Sequence, residues 1–151
     1  MSRISKYLWP EDVILDIEVA DKTQLFSAIG RHMEREHAMP QDGLVTGLSR
    51  REQLGSTGLG EGVAIPHTRV EGLAKILISY LRLKTPIPFG APDGKPVSDI
   101  VVILVPKQAA DEHLQILAET TQAFSDRKFR EHLHSCRHAM DVKSMFESYA
   151  R

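Results

Sequence analysis

The segment Gly55–Gly62 reads Gly-Ser-Thr-Gly-Leu-Gly-Glu-Gly and runs through Val63-Ala64-Ile65 into Pro66-His67. These residue types could handle an anion. Glycines let backbone N–H groups turn toward one point and let a ligand approach closely. Successive N–H groups of that kind form an anion nest. Ser56, Thr57, Gly58, Gly60 and Gly62 are therefore candidate phosphate-binding positions. The spacing is not a Walker A loop, because GxxxxGK[ST] is absent, and Gly58-x-Gly60-x-Gly62 leads into a strand rather than a dinucleotide-binding helix. A connector with turn glycines accounts for the same composition.

His67 is the candidate nucleophile. It follows a proline at the end of an apolar run, where side chains in α/β sheets face loop-lined clefts. Imidazole is a good nucleophile near neutral pH. A structurally hydrogen-bonded histidine is the plainer alternative, and the chain holds 7 histidines. Arg50 and Arg51 lie just upstream. An arginine there could grip an oxyanion with two donors, although cations also suit a helix C-terminus. His113 falls near a helix start, where a neutral imidazole could donate one hydrogen bond, or simply lie on the surface. His132, His134, Cys136 and His138 form HLHSCRH, metal-ligand material by type. The i, i+2 spacing does not gather these side chains on one helix face, so no metal is assigned. No Ser-His-Asp or paired-carboxylate constellation follows from spacing.

The elements that must position these groups alternate between strand and helix. Residues 1–11 read as a loose lead-in to a single domain over 12–151. Val13, Leu15, Ile17 and Val19 alternate with polar residues as a strand with one buried face. Asp21 with Gln24 is a variant capping box opening a helix over 22–36. A second helix over 41–53 is stopped by Gly55 and weakened by Gly43 and Gly47. The run 63–65 is a short strand ending at Pro66. Residues 76–83 and 100–105 are β-rich, and the second is apolar enough to be buried on both faces. Asp111 could cap the next helix, and one or two more follow. This predicts an α/β domain: a central mixed parallel and antiparallel sheet of about five strands with helices on both faces.

Composition narrows the function classes. At 151 residues, the chain is long enough to bury a core without disulfide or metal staples. Lys and Arg total 19 against 20 Asp and Glu, for a net charge of −1, which argues against a general nucleic-acid or polybasic membrane binder. The single cysteine, Cys136, fits a reducing compartment. No apolar run approaches the roughly 20 residues that span a bilayer, and no signal peptide is evident. A cytoplasmic location is expected.

The stretch from Arg51 to His67, REQLGSTGLGEGVAIPH, resembles the active-site signature of enzyme IIA proteins of the bacterial phosphoenolpyruvate-dependent phosphotransferase system, fructose/mannitol class. It is most similar to the nitrogen-regulatory branch. Thr85-Pro86-Ile87, Asp93-Gly94-Lys95-Pro96-Val97, Leu104-Val105-Pro106 and His113-Leu114 fit as well, so the likeness runs from about Asp12 to Tyr149. The resemblance implies that His67 accepts a phosphoryl group from a small HPr-like carrier, with Arg51 and His113 as its active-site neighbours. It implies regulated partners such as potassium-transport components or sensor kinases, and no metal or nucleotide cofactor. Thr68 stands where the family usually has glycine. A sugar-type enzyme IIA passing phosphate to a IIB subunit, and a regulatory module that binds without phosphate, are the alternative readings.

Overall fold

A computed structural model describes residues 2–108 and 111–149. Its elements in chain order are α1 (Arg3–Tyr7), β1 (Leu8–Ile17), α2 (Lys22–His37), α3 (Gln41–Leu54), β2 (Gly58–Gly60), β3 (Val63–Ala64), β4 (His67–Val70), β5 (Leu77–Ile87), β6 (Val97–Pro106), α4 (Glu112–Ser125), α5 (Arg127–Ser135) and α6 (Ala139–Tyr149).

The sheet is mixed and has six strands, in the order β1-β5-β6-β3-β2, with β4 also on β6. β5 and β6 run antiparallel at its centre, while β1, β3 and β4 pair in parallel. The strand expected over 63–65 is in fact two, because the chain continues along β6 beyond Pro66. Proline removes one ladder donor, but the Pro66 carbonyl still accepts from Ile103 N–H at 3.0 Å, so pairing resumes at His67. One register row crosses the sheet from His67 to Ile103 to Ile78 to Leu8.

Alternation along β5 and β6 divides the core in two. Leu77, Leu81, Ile100, Val102 and Leu104 pack on one side with Leu25, Ile29 and Met33 of α2 and Leu44 and Leu48 of α3. Ile78, Tyr80, Val101, Ile103 and Val105 face the other side, against Ile116 and Phe124 of α4, Phe129 and Leu133 of α5 and Phe146 of α6. Helices thus cover both faces, as the continuous apolar run of β6 requires.

Asp21 caps α2 by accepting Gln24 N–H at 2.9 Å, and Gln24 Oε1 accepts Ala20 N–H at 2.9 Å. The start of α3 is capped from outside: Glu34 accepts Gln41 N–H at 2.9 Å. Asp111 makes no side-chain cap on α4. The lead-in expected over 1–11 differs most. Ile4 and Leu8 are buried in the second core, so α1 and the first half of β1 belong to the packed structure. A five-residue helix with only two apolar residues gives no usable periodicity, which is why the sequence did not show it.

Candidate functional site

His67 opens β4, and the chain before it sets its orientation. The imidazole turns back so that Nδ1 lies 2.8 Å from the Ile65 carbonyl. A carbonyl only accepts, so Nδ1 carries the proton and Nε2 keeps its lone pair. Arg51, in the last turn of α3, donates from Nε to that lone pair at 3.3 Å. Its Nη1 donates to the Gly55 carbonyl at 2.9 Å, which holds the guanidinium in place. Burial holds the His67 imidazole below its ordinary value of 6.5; the Ile65 carbonyl opposes the shift and the Arg51 guanidinium adds to it. The ring is therefore neutral at pH 7, as a nucleophile must be.

These groups line an open groove of about 710 Å³. Arg50, Arg69 and His113 share it, with Leu54, Leu114 and Leu117 as apolar surface. His113 lies in the first turn of α4, on the same groove. Leu54 is 85% exposed and Leu114 is 55% exposed. Both are large apolar side chains left open beside the cations of the groove.

The structure brings His67, Arg51 and His113 together, but not the glycine loop. None of Ser56, Thr57, Gly58, Gly60 and Gly62 lines the groove. Several of their polar groups are engaged within the fold. Thr57 donates its N–H and its hydroxyl to Glu52, at 2.9 and 2.7 Å. Gly58 N–H donates to Ser56 Oγ at 3.0 Å, and Ser56 Oγ donates to the Phe89 carbonyl at 2.7 Å. The Gly62 carbonyl accepts from Ser98 and Asp99 N–H, each at 3.0 Å. The loop packs as β2 and its turn, and buried N–H groups there need partners from the protein itself. The glycines serve that packing: a Cβ on Gly58 would meet Ala91 at 2.9 Å, and Gly60 has φ +98°.

Glu52 is a contributor that the sequence reading passed over. Nearly buried, it holds Thr57 and also pairs with Lys22 at 2.9 Å, tying the α2 start and the loop to the turn that carries Arg51. A glutamate five residues before a threonine has no local meaning; only the path of the loop joins them. Thr68 packs on α3, where a Cβ at Gly47 would meet its Oγ1 at 2.9 Å. Within HLHSCRH, His134 Nε2 pairs with Asp99 at 2.6 Å and Cys136 is buried. Among the described residues no three His, Cys, Asp or Glu side chains gather as a metal centre would need. No helix among them is long and apolar enough to cross a membrane.

Comparison with known proteins accounts for this arrangement. The family described as "Phosphoenolpyruvate-dependent sugar phosphotransferase system, EIIA 2" matches residues 6–149. The nitrogen regulatory protein of Pseudomonas aeruginosa is 34% identical over 138 residues, 89% of this chain and 88% of that one. The crystal structure of nitrogen regulatory protein IIA-Ntr from Neisseria meningitidis has a TM-score of 0.90 at 41% identity, covering 96% of this chain and 99% of that one. The mannitol enzyme IIA of Escherichia coli, solved in complex with phosphorylated enzyme IIB, shares the fold at a TM-score of 0.76 and 20% identity, over 93% of this chain and 96% of that one. The match across the sheet, both helical layers and the arginine-to-histidine stretch means that this chain belongs to the EIIA 2 family of the phosphoenolpyruvate-dependent sugar phosphotransferase system, and that it is similar to that family's nitrogen regulatory members.

Proposed function

We propose that the protein is a phosphohistidine carrier of the nitrogen-regulatory type, accepting a phosphoryl group on His67 Nε2 from an HPr-like carrier and signalling by its phosphorylation state. One observation carries this reading: Nδ1 is anchored on the Ile65 carbonyl, so Nε2 offers its lone pair to an open groove. The transfer balances simply. The nitrogen–phosphorus bond of the donor breaks, its electron pair stays with the departing imidazole, and a new bond forms at Nε2. Such transfers pass through a loose, roughly in-line transition state in which positioning and charge neutralisation do most of the catalysis. Arg51, which rests on the lone pair, moves onto a phosphoryl oxygen. His113 donates a hydrogen bond to another. The phosphoryl group arrives already activated on a histidine, so the scheme draws on no cofactor.

Phosphorylation adds about −1.5 to −2 charges. Placed among Arg50, Arg51 and Arg69, that charge offsets much of the positive field of the groove. A target docked on Leu54 and Leu114 would be retained or released accordingly. By family likeness the targets are potassium-transport components or sensor kinases, and the protein works in the cytoplasm with the donor.

The test is intact mass after incubation with phosphoenolpyruvate, enzyme I and an HPr-like carrier. One acid-labile phosphoryl group is expected on the native chain and none on His67→Ala, with unchanged circular dichroism. Labelling of His67→Ala would end the assignment. Onward transfer to a purified IIB domain would favour the sugar-transport alternative.

A further inference from the structure

We infer that a second groove, lined by Lys6, Tyr7, Trp9, His37 and Lys75, binds a nucleoside phosphate. It measures about 630 Å³, within the roughly 300–1,000 Å³ typical of small-molecule sites. Its floor is apolar, formed by Met39 and Leu77, and among the described residues no carboxylate lines it. Two carboxylates stand behind the lining and are engaged by it: Glu112 accepts from the Tyr7 hydroxyl at 2.8 Å and Asp12 from His37 at 2.9 Å. Lys6 and Lys75 are the cations of the lining itself. An anion would be attracted there.

The aromatic side chains say what the rest of the ligand is. Trp9, the only tryptophan of the chain, is 53% exposed. The Lys143 ammonium stands 5.0 Å from the Trp9 ring centroid and donates to the Leu8 carbonyl at 2.9 Å. A cation over one face of the indole holds the ring in position. Lys6 stands similarly over Tyr7, 5.1 Å from its centroid. Planar bases stack on such rings whatever their sequence identity, while lysines meet phosphate as point charges. A bare phosphate would leave the rings unused, and an uncharged aromatic would leave the lysines unused.

His37 is held in place from beneath. Its Nε2 donates to the fully buried Asp12 at 2.9 Å, and Asp12 is also bound by His32 Nε2 at 2.7 Å. The ring nitrogen remaining for a ligand is Nδ1. This buried carboxylate between two imidazoles fixes a groove residue and has no part in the His67 site.

The groove lies at the same end of the sheet as His67. Leu8, next to Trp9, occupies the register row that ends at His67. Three strand spacings put the two about 14 Å apart.

The test is titration of the full chain with AMP, ATP, adenosine and inorganic phosphate, read by Trp9 emission and by calorimetry. AMP and ATP should bind saturably, and adenosine and phosphate at least roughly tenfold more weakly. The Lys6→Glu/Lys75→Glu double variant, with native circular dichroism and melting temperature, should lose nucleotide binding by a similar factor. Trp9→Phe should lose the optical signal and keep the heat. No saturable binding, an equal response in the double variant, or phosphate binding as tightly as AMP would each overturn the assignment. None of these outcomes depends on whether His67 carries phosphate.

Discussion

At the scale of single residues, two contacts define the reactive centre we propose. The Ile65 carbonyl selects which imidazole nitrogen is nucleophilic, and Arg51 waits on that nitrogen. The arginine is thus already next to the charge that arrives. Losing one preorganised donor to a transition-state charge slows enzymes on the order of 100-fold. Arg51→Ala should slow phosphoryl uptake by about that factor with His67 still labelled at the end point, measured by rapid quench against the native chain. Arg51→Lys should recover little, since an ammonium cannot hold the Gly55 carbonyl and a phosphoryl oxygen in the same fork geometry. An unchanged rate in Arg51→Ala would remove the residue from the chemistry.

At the scale of elements, α3 and β4 must meet closely for Arg51 to reach His67. Gly47 permits the approach, and Thr68 fills the space it leaves. The helix thus carries a glycine that costs about 1 kcal/mol of propensity relative to alanine. Gly47→Ala should destabilise the native chain, because the β-branched Thr68 cannot withdraw. In a Thr68→Ala background the same change should stabilise, by up to about 1 kcal/mol. Urea melts of the four-member cycle give the coupling directly, and additive effects would show that the two residues do not touch energetically.

A second element-scale device fixes the end of α5. Asp99, fully buried, takes hydrogen bonds from Tyr80 and His134, while Arg82 donates to the carbonyls of Leu133, His134 and Cys136. The hydrogen bond to the Asp99 carboxylate raises the His134 imidazole above its ordinary value of 6.5. The folded state therefore binds this proton more tightly than the unfolded chain does. The stabilisation is fully present below about pH 6.5 and is lost as pH rises through the raised folded value. His134 is half exposed, so screening limits the effect to about 0.5–1 kcal/mol. Melting temperature should fall between pH 6 and pH 8 by more in the native chain than in His134→Gln. Parallel profiles would place the pH dependence elsewhere.

At the scale of the whole molecule, the sheet separates two apolar layers, and only the α2/α3 layer carries Arg51. The opposite layer is held by an aromatic cluster: the Phe146 ring centroid lies 5.3 Å from that of Phe129 and 6.0 Å from those of Phe124 and Tyr80. Phe146→Ala should destabilise by about 3–5 kcal/mol, as emptied aromatic sites do, read as a lower urea midpoint. Below that midpoint, phosphoryl uptake per folded molecule should fall no further than in His113→Ala, because Phe146 packs on Phe124 of α4, the helix that carries His113, and lies across the sheet from the α3 turn that holds Arg51. A larger loss of uptake would mean that the two layers are coupled through β6.

Much of this was legible in the residues themselves. Period-two alternation marked the second half of β1, although Val13 and Leu15 pack on one core and Ile17 on the other because Asp16, at φ 60°, breaks the alternation; the apolar run of β6 called for cover on both faces. Asp21 with Gln24 placed the start of α2, and Gly55 the end of α3. The Arg51–His67 stretch pointed to the family and to His67 as the nucleophile we propose, because chemistry so dependent on atom types leaves its mark in consecutive residues. The sequence misled where a group's role depends on what its backbone already bonds to. Glycine-rich spacing suggested a ring of open N–H groups, whereas Glu52 and Ser56 occupy those of Thr57 and Gly58. The N-terminal helix was hidden because its burial comes from contacts with distant α4 and α6 rather than from its own pattern. The pairing of His67 with Arg51, the anchoring of Nδ1, the partnership of Thr68 with Gly47 and the groove beside Trp9 were decided by tertiary structure alone. The Nδ1 anchor spans two residues and depends on how the chain turns at Pro66; the others join residues far apart in the chain, and local propensity carries no information about distances set by packing.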